Sequence, residues 1–317
     1  MTSLPSPMSV FVTVQDGLRL HARCWGPRTA PLLPAVCLPG LARSGADFEE
    51  LAAALAGPAP HASSPAASGS GMSARAAPGD GRVAAARRVI ALDSRGRGKS
   101  DYDRDPTNYN LQVELADLLA VLTALAIPRA VFVGTSRGGI LAMLLSAVRP
   151  AAIAGCVLND IGPVIETKGL MRIKSYVGKL PQPASMQDGA EILRRLFASQ
   201  FPKLGTDEWV AFARRTYKQA GSRIVADYDP RLGASLEGID PEQPPAPLWK
   251  EFDGLGRVPV MVIRGGNSDI LAAETVEAMR ARRSRLEVIE VPDQGHAPIL
   301  SGSRIIGAIA DFVAGIG

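Results

Sequence analysis

The sequence predicts an α/β fold: a mostly parallel, doubly wound, eight-stranded sheet with helices on both faces and an inserted helical subdomain. Short β-branched runs alternate along the chain with longer segments of helical spacing. Several of the short runs are continuously apolar, as expected of strands that are buried on both faces. The chain has 317 residues, of which 46% are hydrophobic and 21% charged, so it can enclose a large core.

Eight short apolar runs are the predicted strands of this sheet. They lie at 11–14, 18–24, 35–38, 89–92, 130–133, 155–158, 258–263 and 286–291. Segments with helical spacing lie between them, at 48–55, 111–125, 138–148, 272–282 and 304–313. The segment 111–125 is typical, because leucines recur in it at positions 115, 118, 119, 122 and 125.

Two segments interrupt the alternation. Residues 57–86 are rich in Ala, Ser, Gly and Pro, with almost no large apolar side chain, which predicts a disordered surface insertion. Residues 164–254 have a helical pattern and hold many of the aromatic residues, and predicted strands flank them on both sides. We therefore expect a helical lid over 164–254, inserted between two parts of one core, 1–163 and 255–317.

Composition and charge exclude several classes of partner. The net charge is +4, and the arginines are scattered along the chain, so nothing indicates nucleic-acid binding. No basic segment followed by an apolar run opens the chain, and no window reaches the roughly 18 apolar residues of a membrane span. Cys24, Cys37 and Cys156 lie in apolar segments without CxxC spacing, which favours buried thiols. We expect a cytoplasmic monomer or homodimer.

The strongest motif is a G-x-S-x-G segment, GTSRG at 134–138, which follows a predicted strand and opens an apolar helix. A sharp turn at this point would place Ser136 at the tip of the strand, near a helix N-terminus that favours developing negative charge. The small residues Gly134 and Gly138 would let strand and helix approach closely. We expect Ser136 to be a nucleophile.

A serine hydroxyl needs a base, and the base needs an acid that holds its tautomer. Of the three histidines, His61 lies in the low-complexity segment and His21 in an N-terminal strand, which leaves His296, in a loop after the last strand. Asp269 follows the strand 258–263, and the order Ser, acid, His suits this arrangement. We expect Asp269 to be the acid, with Asp160, at the end of the preceding strand, as the alternative acid or a residue at the mouth of the site.

Acyl transfer also requires hydrogen-bond donors for the oxyanion. We expect the backbone N–H groups of Arg137, which follows the nucleophile, and of Leu41, in the turn after the strand 35–38. Gly40 is expected to give that turn a backbone path that a side chain would obstruct.

These motifs together resemble the α/β-hydrolases that have a serine nucleophile and a helical lid, over essentially the whole chain apart from 57–86. The segment DSRGRGKS at 93–100 is similar to the family's D-x-R-G-x-G-x-S turn, which we expect to be structural, with substrate contact by Arg95 or Arg97 as the alternative. LNDIGP at 158–163 and RGGNSD at 264–269 resemble bacterial carboxylesterases and enol-lactonases. The family usually has His-Gly where this chain has Pro39-Gly40, a change that backbone donation survives.

The resemblance implies hydrolysis of a small-molecule carboxylic ester or lactone through an acyl-enzyme, without metal or organic cofactor. The alternatives are hydrolysis of a carbon–carbon bond in a vinylogous diketone, cofactor-free perhydrolysis, and a ligand receptor with little turnover. Epoxide hydrolase or dehalogenase activity is disfavoured, because family members with those activities have an aspartate at the position of Ser136. Lid aromatics would set the choice of substrate.

Overall fold

The fold is known from a computed structural model, which describes residues 6–57 and 86–316. The eight predicted strands are present and form a single sheet, so the predicted fold class is confirmed. Its strands are β1 (Met8–Thr13), β2 (Arg19–Trp25), β3 (Leu32–Leu38), β4 (Arg87–Asp93), β5 (Ala130–Thr135), β6 (Ile153–Asn159), β9 (Val260–Gly265) and β10 (Glu287–Val291). The predicted segment 57–86 lies almost entirely outside the described residues.

Strand order brings the predicted chemistry to one edge of the sheet. The order is β1-β2-β4-β3-β5-β6-β9-β10, with β1 and β4 antiparallel to β2 and all other neighbours parallel. Because β3, β5, β6, β9 and β10 run in the same direction, the loops that follow them share the carboxyl edge. These loops hold Leu41, Ser136, Asp160, Asp269 and His296.

Helices cover both faces of the sheet, as the alternating pattern predicts. Along β5, Phe132 belongs to one hydrophobic cluster, whereas Val131 and Val133 belong to the cluster on the opposite face, because side chains alternate across a strand. The helices outside the insertion are α1 (Glu49–Ala56), α2 (Leu111–Ala124), α3 (Arg137–Val148), α8 (Ala273–Arg282) and α9 (Ser303–Ala314). No helix in the described part of the chain is both long enough and apolar enough for a bilayer span.

The segment between β6 and β9 is mostly helical. Its second and third helices and the hairpin after them enclose a small core of their own, in which Phe201 and Trp209 pack edge to face with ring centroids 6.4 Å apart. Its last helix packs instead against α3, where the Ser146 hydroxyl donates to the Glu251 carbonyl over 2.7 Å. The elements are α4 (Thr167–Tyr176), α5 (Met186–Phe197), α6 (Thr206–Thr216), the hairpin β7 (Tyr217–Ala220) with β8 (Arg223–Ala226), and α7 (Trp249–Gly254).

The turn at 93–100 joins this inserted segment to the sheet. Gly98 N–H donates to the Asp227 carbonyl over 2.9 Å, and Asp229 N–H donates to the Gly96 carbonyl over 2.7 Å. Gly98 has a φ of 57°, and a Cβ there would overlap the Asp93 carboxylate, so glycine is required. Arg95 and Arg97 are buried in this turn and do not line the cavity at Ser136 described below, which agrees with the structural role expected of them.

Candidate active site

Ser136 occupies the turn between β5 and α3 in a conformation that few non-glycine residues adopt, with φ 51° and ψ −117°. A Cβ at Gly138 would overlap the carbonyl oxygen of Leu38, and one at Gly134 would lie 2.5 Å from the Gly139 nitrogen. The two glycines therefore allow the close approach of strand and helix that the sequence predicts. The turn leaves Ser136 only partly buried, on the wall of a cavity.

The imidazole of His296 lies between a hydroxyl and a carboxylate. Its Nε2 is 2.8 Å from Ser136 Oγ, and its Nδ1 is 2.8 Å from Asp160 Oδ2. A carboxylate can only accept, so the arrangement assigns the proton to Nδ1 and leaves Nε2 to accept from the serine hydroxyl. This is the geometry that a general base next to a nucleophile requires.

The expected contact between Asp269 and His296 is wrong, and Asp160 is the acid in contact with the histidine. Asp269 instead forms a two-pronged ion pair with Arg172 of α4, with N–O distances of 2.6 and 2.7 Å. Burial acts to raise the pKa of Asp269, but the hydrogen bond and charge of Arg172 outweigh it and hold that pKa below its ordinary value. The strand order explains the choice, because Asp160 directly follows β6, the immediate neighbour of β5.

The loop that holds Asp269 still serves the site, through its neighbours. Asp160 is fully buried and accepts from Gly265 N–H over 2.7 Å and from the Ser268 hydroxyl over 2.6 Å, besides His296. A carboxylate with three donors is held in one orientation. The RGGNSD segment therefore supplies donors to the acid and does not supply the acid itself.

Two amide side chains that the sequence analysis missed brace the histidine loop. Gln200, from the connection between α5 and α6, accepts from His296 N–H over 2.9 Å. The Asn159 side chain donates to the Pro298 carbonyl over 3.0 Å and to Thr135 Oγ1 over 3.1 Å. The position of Asn159, directly before the candidate acid Asp160, could have indicated a role at this edge. No sequence pattern indicated Gln200.

Leu41 and Arg137 lie where the sequence places them, after β3 and directly after Ser136. Leu41 lines the same cavity as Ser136, and Arg137 is the first residue of α3. Within the described ranges, neither backbone N–H donates a hydrogen bond to another residue, so both donors are free to bind a ligand. The prediction that a side chain at Gly40 would obstruct the turn is wrong, because a Cβ there would lie 3.5 Å from the nearest atom, an ordinary contact distance.

A buried charge network connects the two residues that hold these donors. Arg97 Nε donates to the Leu41 carbonyl over 2.7 Å, and its Nη1 lies 2.8 Å from Glu114 of α2. The other oxygen of Glu114 lies 2.8 Å from Arg137 Nε. Burial acts to raise the pKa of Glu114, but the charges of Arg97 and Arg137 outweigh it and keep that pKa below its ordinary value. Glu114 thus holds both turns through two guanidinium groups.

The cavity at Ser136 extends beneath the inserted helices and encloses about 1010 Å³, including its mouth. Most of its wall is apolar, and polar groups are confined to a few positions, as is usual for small-molecule sites. Within 6–57 and 86–316, no cluster of three or more His, Cys, Asp or Glu side chains could hold a metal ion. The apolar wall includes Ile173, Val177, Leu180, Leu193, Phe197 and Phe212.

Comparisons with known proteins agree with this architecture. The chain is 28% identical over 320 residues to a 3-hydroxybutyrate-oligomer hydrolase of Cupriavidus necator, covering 98% of this chain and 99% of that protein. A crystal structure of an alpha/beta hydrolase from Novosphingobium aromaticivorans is 35% identical, with a TM-score of 0.83 and coverage of 98% and 99%. An esterase of Mycobacterium tuberculosis is 23% identical over 247 residues, which cover 72% of this chain and 74% of the esterase. The sequence profile of the Alpha/beta hydrolase family matches residues 11–308, and the chain belongs to that family.

Proposed function

We propose that the protein hydrolyses a small-molecule carboxylic ester or lactone through an acyl-enzyme on Ser136. The observation that carries the proposal is the continuous hydrogen-bonded chain from Ser136 through His296 to Asp160, each link 2.8 Å long. It meets the cavity wall at the serine, next to two backbone N–H groups with no partner among the described residues. Nucleophile, base, orienting acid and oxyanion donors are the parts that acyl transfer needs.

The chemistry follows from these positions. Ser136 Oγ attacks the ester carbonyl carbon as its proton passes to His296 Nε2, and the N–H groups of Leu41 and Arg137 bind the oxyanion that forms. The tetrahedral intermediate then collapses, and the alkoxide leaves with the proton from His296. Water attacks the acyl-enzyme with His296 as base, which releases the acid and restores the serine. Asp160 keeps the imidazole in the required tautomer and stabilises its protonated form.

The cavity favours an ester with an apolar acyl or alcohol portion. Phe197, Phe212 and the aliphatic side chains around them offer contact area and few hydrogen-bonding groups. The Cupriavidus necator relative is named for oligomers of a hydroxy acid, in which successive units are joined by ester bonds. Short hydroxy-acid oligoesters are therefore the first natural substrates to try.

The test is hydrolysis of p-nitrophenyl esters of increasing acyl length, a few lactones and a hydroxy-acid oligoester. We expect the wild type to turn over several of them, and Ser136→Ala and His296→Ala each to lower kcat by several orders of magnitude, to about the level of oxyanion and binding effects alone. A wild type that leaves every ester and lactone intact but cleaves a vinylogous diketone would show that the reaction is carbon–carbon hydrolysis.

Ser9→Ala is a matched control. Ser9 Oγ lies 2.9 Å from His21 Nε2, and His21 Nδ1 lies 2.7 Å from Asp93, which repeats the distances of the candidate site. Neither Ser9 nor His21 lines the cavity at Ser136. Activity should persist in Ser9→Ala. An equal loss in Ser9→Ala and Ser136→Ala would contradict the assignment of the nucleophile.

A further inference from the structure

Three charged side chains stand out in the otherwise apolar wall of the cavity at Ser136. They are Arg43, which follows the turn after β3, Asp47, and Arg215 at the end of α6. Two guanidinium groups thus lie near one carboxylate at this point of the wall. A charge placed in an apolar cavity is costly unless a partner compensates it.

Arg43 is fully engaged with other residues. Its Nε and Nη2 lie 2.7 and 2.5 Å from the two oxygens of Asp47, and its Nη1 lies 2.5 Å from Thr216 Oγ1. Its guanidinium also lies 4.7 Å from the ring centre of Phe212. Arg43 and Asp47 therefore form a closed, internally satisfied pair.

Arg215 is not engaged in this way. Its nearest carboxylate oxygen is that of Asp47, 3.6 Å away, which is too long for a hydrogen bond and already serves Arg43. Its side chain is 19% exposed, and in the described part of the chain its nitrogens donate no hydrogen bond. Burial lowers the pKa of Arg215, yet arginine stays charged at any working pH.

Other acids near Arg215 act on it only through space. Arg215 also lines a neighbouring groove with Glu49, Glu50 and Asp207, and the charges of Glu49 and Glu50 act to raise its pKa, although burial outweighs them. None of the three forms an ion pair with Arg215 within the described ranges. Glu49 is engaged by Arg23 at 2.6 Å. Arg215 therefore has free donors in the wall of the cavity that holds Ser136.

We infer that Arg215, next to the Arg43–Asp47 pair, binds a carboxylate of the substrate, so that the preferred substrates are esters that carry a free carboxylate in their acyl or alcohol portion. This inference rests on the proposed ester hydrolysis and narrows its substrate class. A planar guanidinium pairs with a carboxylate through two parallel hydrogen bonds, and a largely dry wall strengthens them. The apolar side chains then contact the carbon chain between the carboxylate and the ester.

The test compares matched pairs of esters that differ only in the carboxylate. One pair is the p-nitrophenyl monoester of adipic acid and p-nitrophenyl hexanoate. The other pair is the butanoate ester of a β-hydroxy acid and the corresponding ester with an isopropyl group in place of the carboxylate. Hydrolysis of this second pair is measured by the protons it releases. We expect the wild type to have a higher kcat/KM for the acidic member of each pair, because the KM of that member is lower. Added salt should reduce this preference.

Arg215→Gln should lower the ratio of kcat/KM for acidic over neutral ester by about tenfold or more, since hydrogen bonds to charged groups are the stronger ones. Arg215→Lys should retain part of the ratio. The control is Arg195→Gln, which removes the same charge from an arginine that is 75% exposed on α5 and should leave the ratio unchanged.

The possible failures are distinguishable. A wild type that cleaves neutral esters without preferring acidic ones refutes the carboxylate site and leaves ester hydrolysis standing. An Arg215→Gln variant, shown by circular dichroism to be folded, that loses both members of a pair equally also refutes it. A wild type that cleaves no ester of either pair, and none of the esters and lactones of the first test, refutes the proposed function itself.

Discussion

At the scale of single residues, hydrogen-bonding geometry alone does not make a site. Ser9, His21 and Asp93 reproduce the distances of Ser136, His296 and Asp160 to about a tenth of an ångström. What differs is the surroundings: Ser136 lines a cavity, beside two backbone N–H groups that have no partner in the described part of the chain, and Ser9 does not line it. The three side chains at β1, β2 and β4 connect strands, whereas at the carboxyl edge Ser136 and His296 line a space that a substrate can enter.

Replacement of each of the two aspartates near His296, Asp160 and Asp269, should have a different effect on kcat. Asp160→Asn leaves an amide that can present its NH₂ to His296 Nδ1 and so favour the wrong tautomer, and we expect kcat to fall by about 10⁴-fold. Asp269→Asn breaks only the ion pair with Arg172, so most of kcat should be retained. Initial rates on one p-nitrophenyl ester measure both variants, and a larger loss in Asp269→Asn would restore Asp269 as the acid.

The residue scale is also where sequence reasoning reached its limit. Ser136 and His296 were predictable because the motif and the scarcity of histidines left few choices. Asp160 and Asp269 both follow strands that reach the same edge, so position along the chain could not decide between them. The decision came from Arg172 of α4, which lies 2.6 Å from Asp269, and from Ser268, which donates to Asp160 over 2.6 Å. The Arg172 contact depends on how the inserted helices pack. Gln200 and Arg215 depend on that packing too.

At the scale of elements, the turn that holds Ser136 depends on how closely β5 and α3 can approach each other. The eight strands were predictable because burial on both faces imposes an apolar run, but their bounds differ from the predicted ones by up to three residues, and β4 and β6 each end one residue later, at the polar Asp93 and Asn159. These extensions place functional side chains directly at strand ends, where the backbone is held by the sheet. The bounds of the inserted helices, in contrast, carried no such signal.

Two glycines near Ser136 offer a test of this approach. Gly138→Ala places a methyl group on the Leu38 carbonyl, which the backbone must move to avoid, and we expect a loss of about 3 kcal/mol or more in the free energy of unfolding. Gly40→Ala is the matched control, because its methyl group would sit 3.5 Å from the nearest atom, so stability should change little. Urea denaturation of both variants measures the contrast, and similar losses in the two would contradict it.

At the scale of the whole molecule, charges inside the fold tie distant parts of the chain to one site. Glu114 of α2 reaches the turn after β3 through Arg97 and the start of α3 through Arg137. The same turn that holds Arg97 also anchors the inserted segment through Gly96 and Gly98. Glu114 therefore connects the turns that hold both candidate oxyanion donors, and the turn at 93–100 connects this network to the inserted segment.

Replacement of Glu114 should give a stability difference with a definite pH dependence. Because its pKa lies below the ordinary glutamate value in the folded protein, ionised Glu114 contributes stability above the unfolded pKa of about 4.3, and this is lost as pH falls through the folded pKa. At pH 7 we expect Glu114→Gln to cost about 3–5 kcal/mol, since it leaves two buried guanidinium groups without a counter-charge. Below about pH 4.3 the wild-type and variant unfolding free energies should converge.

The same variant should act on catalysis through the donors that the network holds. If Glu114 positions Leu41 and Arg137, Glu114→Gln should lower kcat more than it raises KM, because the oxyanion forms only after the ester has bound. Thr123→Ala, on the exposed end of the same helix, is the control for α2 and should leave kcat unchanged. Thermal unfolding from pH 3 to 8 together with kcat and KM at pH 7 decides the matter. A stability difference that persists unchanged at low pH would mean that Glu114 contributes through packing and not through its charge.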